Sequence, residues 1–250
     1  MKRKKAIVIV AFGTSKEAGF NKYLLPFKKD AEKKCGEEFD YFFALTNEKI
    51  LSKLEINAKS YEEVLKELKT KKYEEVYVET LYFSRGHEYS KVEEITQKYK
   101  SSFKVLKITK PILEENENLI DKYFDKYDNM LFVCHGSVGI KNSLEEKYIK
   151  SVIKKKNKGK HYVVLIHNKD CFNDIIASMK NDKVSKVTII PMFITKGYHF
   201  KKDIISKDRE SFVSKLKEQN IEVEVLDKTL GESENFRRLV LKSLDNIIKN

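Results

Sequence analysis

Three of the five histidines, His135, His167 and His199, are the residues whose type and placement suggest chemistry. Each follows a short apolar run, and successive members lie 32 residues apart. Neutral imidazole is a common ligand for divalent first-row metals, cobalt, nickel, iron and zinc among them. Three imidazoles from neighbouring strand ends would hold one ion and leave coordination positions open, as a catalytic or transfer site requires. No compact motif such as HExxH is present, and a lone histidine at a strand end is more often a hydrogen-bonded loop residue than a ligand. The case therefore rests on where the fold puts them. His161 precedes its apolar run and reads as a surface residue, whereas His87, in the Arg85-Gly-His-Glu88 loop, could face the same cleft as the three.

The elements that must position these residues alternate along the chain. Short β-branched runs lie near Ala6–Phe12, Phe39–Leu45, Glu75–Phe83, Val105–Ile108, Met130–Cys134, Tyr162–Ile166, Lys186–Ile194 and Glu222–Leu226. Apolar residues recur at helical spacing between them, for example over Tyr61–Thr70, Tyr89–Tyr99, Ser143–Lys156 and Glu210–Gln219. This alternation predicts an α/β fold with parallel sheets flanked by helices. The second half also echoes the first. Val8–Thr14 answers Leu131–Ser137, Tyr41–Asn47 answers Tyr162–Asn168, and Val76–Gly86 answers Val187–Gly197, at offsets of 123, 121 and 111 residues. Three matches in one order predict two similar halves, each a four-stranded sheet, covering residues 1–127 and 128–250. The last helix, Ser233 to Ile248, is free to pack on either half, the N-terminal one included. In this alignment Phe12 corresponds to His135, Thr46 to His167 and Glu88 to His199. The second half has thus gathered three imidazoles where a parallel sheet places its ligand site.

The bulk properties narrow the partners. The net charge of +12 attracts anions, but lysines are interleaved with glutamates, which marks solvated helix faces. No nucleic-acid-binding module is recognisable, so no nucleic-acid partner is expected. Three cysteines without CxxC spacing suit a reducing, cytoplasmic compartment. The apolar start leads straight into Gly13-Thr14-Ser15 without a convincing cleavage site and reads as a first strand rather than a signal peptide. No run approaches the length of a membrane span, so no membrane partner is expected either. Gly13-Thr14-Ser15 and Gly136-Ser137 sit at strand-to-helix turns whose amides could hold an anion, or whose glycines simply allow a tight turn. Neither is a P-loop or GxGxxG fingerprint, so no nucleotide is expected, and the absence of GxSxG argues against a serine hydrolase.

At these residues the chain resembles the anaerobic cobaltochelatases of the CbiK type, class II chelatases related to ferrochelatase. The matching stretches include Ile7–Ser15, Ala44–Asn47, Glu79–Tyr89, Phe132–Ser137, Pro191–His199 and Leu230–Asn235, and span essentially the whole sequence. The resemblance implies two similar α/β domains around a cleft and ATP-independent insertion of Co²⁺ into sirohydrochlorin, or its precorrin-2 precursor, in anaerobic cobalamin synthesis. It implies a ligand set of two histidines and a glutamate. His135 and His199 take the histidine places and His167 stands in the glutamate place, a departure that puts the preference for cobalt over Ni²⁺, Fe²⁺ or Zn²⁺ in question. His135 or Glu88 is the expected acceptor of the pyrrole protons. Phe12, Gly13, Thr14, Ser15, His87 and Glu88 are expected to contact the tetrapyrrole, with Tyr82 and Phe83 as further ring contacts or core residues. Lys16, Arg85, Lys196 and Lys201 are expected to meet its carboxylates. A chelatase for another metal, of the sirohaem type, and a non-catalytic carrier of the same fold are the alternatives. A homo-oligomer is compatible with the sequence.

Overall fold

A computed structural model of the chain describes residues 4–53, 58–116, 118–136 and 143–250. The chain divides into two compact units, one of residues 1–117 and 231–250 and the other of residues 118–230. In the first unit the strands are β1 (Lys5–Ala11), β2 (Phe39–Leu45), β3 (Lys59–Ser60), β4 (Glu75–Thr80) and β5 (Val105–Ile108). They form one parallel sheet in the order β3-β2-β1-β4-β5. The second unit holds β6 (Asn129–Cys134), β7 (Lys160–Leu165), β8 (Lys186–Pro191) and β9 (Glu222–Val225), also parallel, in the order β7-β6-β8-β9. Apart from the extra edge strand β3, the two orders are the same. The repeat seen in the sequence is therefore a repeat of topology.

The central strands read as unbroken apolar runs because both faces are covered. Ala6 to Val10 are fully buried, as are Met130 to Val133. In the first unit Val8, Val10, Val76 and Val78 pack against Tyr61, Val64, Leu65 and Leu68 of helix α2 (Tyr61–Thr70) and Val92 of α3 (His87–Tyr99). Helix α2 starts on a complete capping box, in which the Ser60 side chain and Glu63 each satisfy the other's backbone amide. In the second unit Leu131, Val133 and Ile189 pack with Phe172, Ile176 and Met179 of α5 (Phe172–Asn181) and with Phe212 and Leu216 of α6 (Phe212–Glu218). Helix α4 (Leu144–Lys156) carries three lysines in its last turn, which suits the carbonyl end of the helix dipole, and stops at Asn157 in the left-handed conformation.

The last helix, α7 (Glu234–Lys249), buries Phe236, Val240, Leu241 and Leu244 on its apolar face. It packs on β4 and on α1 (Leu25–Cys35). Phe236 meets Phe27 edge-on with 6.2 Å between centroids, and Arg237 pairs with Asp30 at 2.6 Å. The division falls at 117/118, ten residues before the boundary read from the repeat. The reason is that Phe124 packs on Phe132 and His161, and Asp121 pairs with Lys156, all in the second unit.

Two further expectations change. β3 has only two residues and no apolar run to announce it, so the first sheet has five strands rather than four. His161 lies inside β7 instead of before it, and its ring sits edge-on to Phe124 at 4.8 Å, with burial lowering its pKa. Among the described residues no helix is long and apolar enough to cross a membrane.

Candidate metal centre

The donors sit beyond the carboxyl ends of β6, β7 and β8. His135 directly follows Cys134, the last residue of β6. The turn after it is set by Gly136, which has a left-handed φ of 68° and approaches Leu165 so closely that a Cβ would lie 3.1 Å from the Leu165 Cβ. The Gly136 amide donates to Glu145 in the first turn of α4 at 2.9 Å, so a carboxylate of the chain itself already takes this amide. Ser137 lies outside the described residues. Replacing Gly136 by alanine should cost about 1–2 kcal/mol from the left-handed backbone alone. Urea unfolding checks that cost, and a parallel loss of metal affinity would report displacement of His135.

The first unit carries the same turn. Gly13 has a φ of 114°, and a Cβ there would meet Leu45 and Ile50 at 3.3 and 3.0 Å. Gly13 thus faces Leu45 as Gly136 faces Leu165. The ladders agree, because Ala11 pairs with Leu45 and Cys134 with Leu165. The next amides follow suit, Thr46 N donating to Ala11 O at 3.0 Å and Ile166 N to Cys134 O at 2.9 Å. The sequence alignment of these strands is therefore one residue out: Ile166 matches Thr46, and His167 matches Asn47. Asn47 caps a short helical turn by accepting from the Ile50 amide at 3.0 Å. The β4/β8 match needs no such change, since Leu81 N and Met192 N bond to Val10 O and Val133 O at 2.8 Å each. His199 lies eight residues past β8, at the start of a π-helical turn over Phe200–Ile204. Such turns recur at functional sites.

The three imidazoles converge. Ring centroids lie 4.7 Å apart for His135–His167 and His135–His199, and 5.6 Å apart for His167–His199. One nitrogen from each ring lies within 4.8 Å of the others, close enough to share an ion. His135 Nδ1 meets the Gly136 carbonyl at 3.2 Å; since a carbonyl only accepts, Nδ1 carries the hydrogen and Nε2 is free to ligate. Although the His135 side chain reaches solvent, the protein packed around it brings its pKa down to about 4. The neighbouring His199 and His167 lower it further, while the Gly136 carbonyl and Asp203 oppose the shift. The His167 pKa is also lowered, first by burial and then by His199 and Lys169.

These shifts favour the neutral, ligating form. Three ordinary imidazoles would release about two protons on binding an ion at pH 6. Here the release should fall below that, because burial brings the His135 pKa down to about 4 and also lowers that of His167. Calorimetry of Co²⁺ binding in buffers of different ionisation enthalpy measures the number directly. The cysteines offer no competing ligand: Cys134 is a buried thiol with its pKa pushed up by burial, and Cys171 donates to the Asn168 carbonyl.

Sequence reasoning missed three neighbours of the triad. Asp203, with a side chain 7% exposed, accepts from His199 Nδ1 at 2.6 Å and pairs with Lys169 through its other oxygen. The His199–Asp203 spacing of four was the available signal, since such residues share one side of a helical turn. Tyr198 is 65% exposed with its ring 5.4 Å from that of His199.

In the first unit the expected residues gather around the corresponding strand ends. Phe12 is exposed, with Gly13, Thr14 and Ser15 following it. His87 and Glu88 open α3. Glu88 accepts from the Thr46 hydroxyl at 2.8 Å and from Lys91 at 2.9 Å, and Thr46 also bonds to the Tyr82 hydroxyl at 2.7 Å. Phe83 is stacked on Phe236 of α7, a contact within the first unit. Two of the four expected cations are engaged within the chain, Arg85 by Glu93 and Glu114 and Lys196 by Asp227. Lys16 and Lys201 are exposed.

A tandem-repeated parallel α/β fold that gathers three imidazoles at one sheet rim defines the class of protein. The model of the cobalt chelatase (CbiK) family matches residues 5–249, and the chain belongs to that family. It is 21% identical to the sirohydrochlorin cobaltochelatase of Salmonella typhimurium over 257 residues, covering 96% of this chain and 95% of that protein. Its fold is similar to that of the sirohydrochlorin chelatase SirB from Bacillus subtilis subspecies spizizenii in complex with cobalt. That likeness has a TM-score of 0.61 at 12% identity, over 99% of this chain and 96% of the other. SirB from Bacillus subtilis with Fe³⁺ gives a TM-score of 0.63 at 13% identity, over 98% and 95%.

Proposed function

We propose that the chain inserts Co²⁺ into sirohydrochlorin, with the ion as substrate held by His135, His167 and His199. The observation that carries this reading is the convergence of three imidazoles in a member of the cobalt chelatase family. Three donors leave positions open for the incoming pyrrole nitrogens, and neutral donors let the ion leave once the macrocycle has bound it. Metalation also releases two pyrrole protons. The depressed basicity of His135 suits a metal ligand better than a proton store, so the acceptor role passes to Glu88. Glu88→Gln should then lower kcat while leaving Co²⁺ affinity unchanged. Exposed Tyr198, whose ring lies beside that of His199, is an aromatic surface for a macrocycle at the triad, and the +12 net charge favours its carboxylates. The free thiols Cys35, Cys134 and Cys171 support a reducing, cytoplasmic setting for the reaction.

The test is anaerobic metalation of sirohydrochlorin with Co²⁺, Fe²⁺ and Ni²⁺ in parallel. Catalysis fastest with Co²⁺ is the expected result. Faster insertion of Fe²⁺ or Ni²⁺ would reassign the metal, and rates no greater than spontaneous metalation would make the chain a carrier.

A further inference from the structure

We propose that Asp203, clamped by Lys169, is a positioning residue that fixes the His199 proton on Nδ1 and so aims the Nε2 lone pair at the ion. The inference rests on the metal-centre reading for its purpose, but its structural basis is independent of any ion. The Asp203 carboxylate is almost entirely buried and spans two loops. One oxygen meets the Lys169 ammonium, two residues past His167, and the other lies 2.6 Å from His199 Nδ1. A carboxylate paired with an ammonium has only lone pairs to offer the imidazole, so the hydrogen between them belongs to Nδ1. The remaining nitrogen, Nε2, is then the only one with a lone pair for the centre. The π-helical turn over Phe200–Ile204 supplies the spacing, bringing the side chain of Asp203 back against His199.

His135 reaches the same tautomer by another route, through the Gly136 carbonyl. Two of the three rings are thus locked by acceptors on Nδ1, one of them charged. A carboxylate on the outer nitrogen also makes the ring a stronger donor, and loss of such a partner typically weakens metal affinity 10–100-fold. Lys169 ties the geometry of the His167 loop to that of the His199 turn, so two of the donors are braced by one ion pair whose carboxylate is buried and whose ammonium is partly exposed.

The experiment uses nitrogen-resolved NMR of the histidine rings in the full-length metal-free protein, together with Co²⁺ titration followed by its visible spectrum. In the wild type His199 is expected as the Nδ1–H tautomer. Asp203→Asn should mix the tautomers and weaken Co²⁺ binding about 10–100-fold. Asp203→Glu should recover much of both. Lys169→Met, at a partly exposed position, is a second variant that leaves Asp203 in place, and a several-fold loss of affinity is expected. Finding the wild-type proton on Nε2, or an unchanged tautomer in a folded Asp203→Asn, would overturn the proposal. So would Co²⁺ affinity within twofold of wild type in both Asp203→Asn and Lys169→Met. Wild-type Co²⁺ affinity in His135→Ala would instead remove the metal-centre reading, while the NMR of the metal-free protein still decides the tautomer.

Discussion

His135→Ala and His199→Ala are each expected to reduce metal insertion to the uncatalysed rate while leaving the unfolding transition close to that of the wild type. Both side chains lie beyond the last ladder pairs of their sheet, so their removal opens no core cavity. Each supplies one of three donors found among the described residues, and two imidazoles cannot hold the ion against water as three can. The loss should exceed the 10–100-fold typical of removing an outer partner, thus at least about two orders of magnitude in affinity for Co²⁺. Anaerobic metalation assays and Co²⁺ titration measure the two effects separately. Full activity in both variants would remove the triad from the reaction.

His167→Glu is expected to keep the enzyme active and to change its choice of metal. A carboxylate adds a negative charge and a harder donor to a site of three neutral imidazoles. Nickel, which imidazole favours, should lose ground to iron, with the ratio of affinities moving on the order of tenfold, about 1.4 kcal/mol. The nearby Lys169 and Asp203 set the field into which the new carboxylate is placed. Competition of paired metals for the variant and the wild type, read as insertion rates, makes the comparison. An unchanged metal ranking would show that the third donor does not govern selection.

Much of this fold is legible in the sequence because its strands are buried on both faces. Eight apolar runs correspond to eight of the nine strands among the described residues, and the repeat predicted their shared order. β3 escaped because two polar residues leave no pattern. The mismatch at His167 has a different cause. Sequence identity aligned Tyr41 with Tyr162, but in a ladder a one-residue slip exchanges the faces of a strand, and hydrogen bonding fixed the other register. His135 and His199 were legible from their places after matched strands. Asp203 and Lys169 were not, because an ion pair between two loops leaves only one weak mark, the spacing of four from His199 to Asp203.

The matched glycine turns after β1 and β6 have a consequence for how such a protein can change. The backbone of the turn is dictated by Gly13 and Gly136 and by the leucines they face, whereas the residue just before each glycine is Phe12 in one half and His135 in the other. Architecture and chemistry thus occupy adjacent but separate letters of the chain. Donors can be exchanged on this rim without redrafting the sheet beneath it, and the N-terminal half offers a second socket of the same design. Phe12, Asn47 and Glu88 mark where its three imidazoles would go.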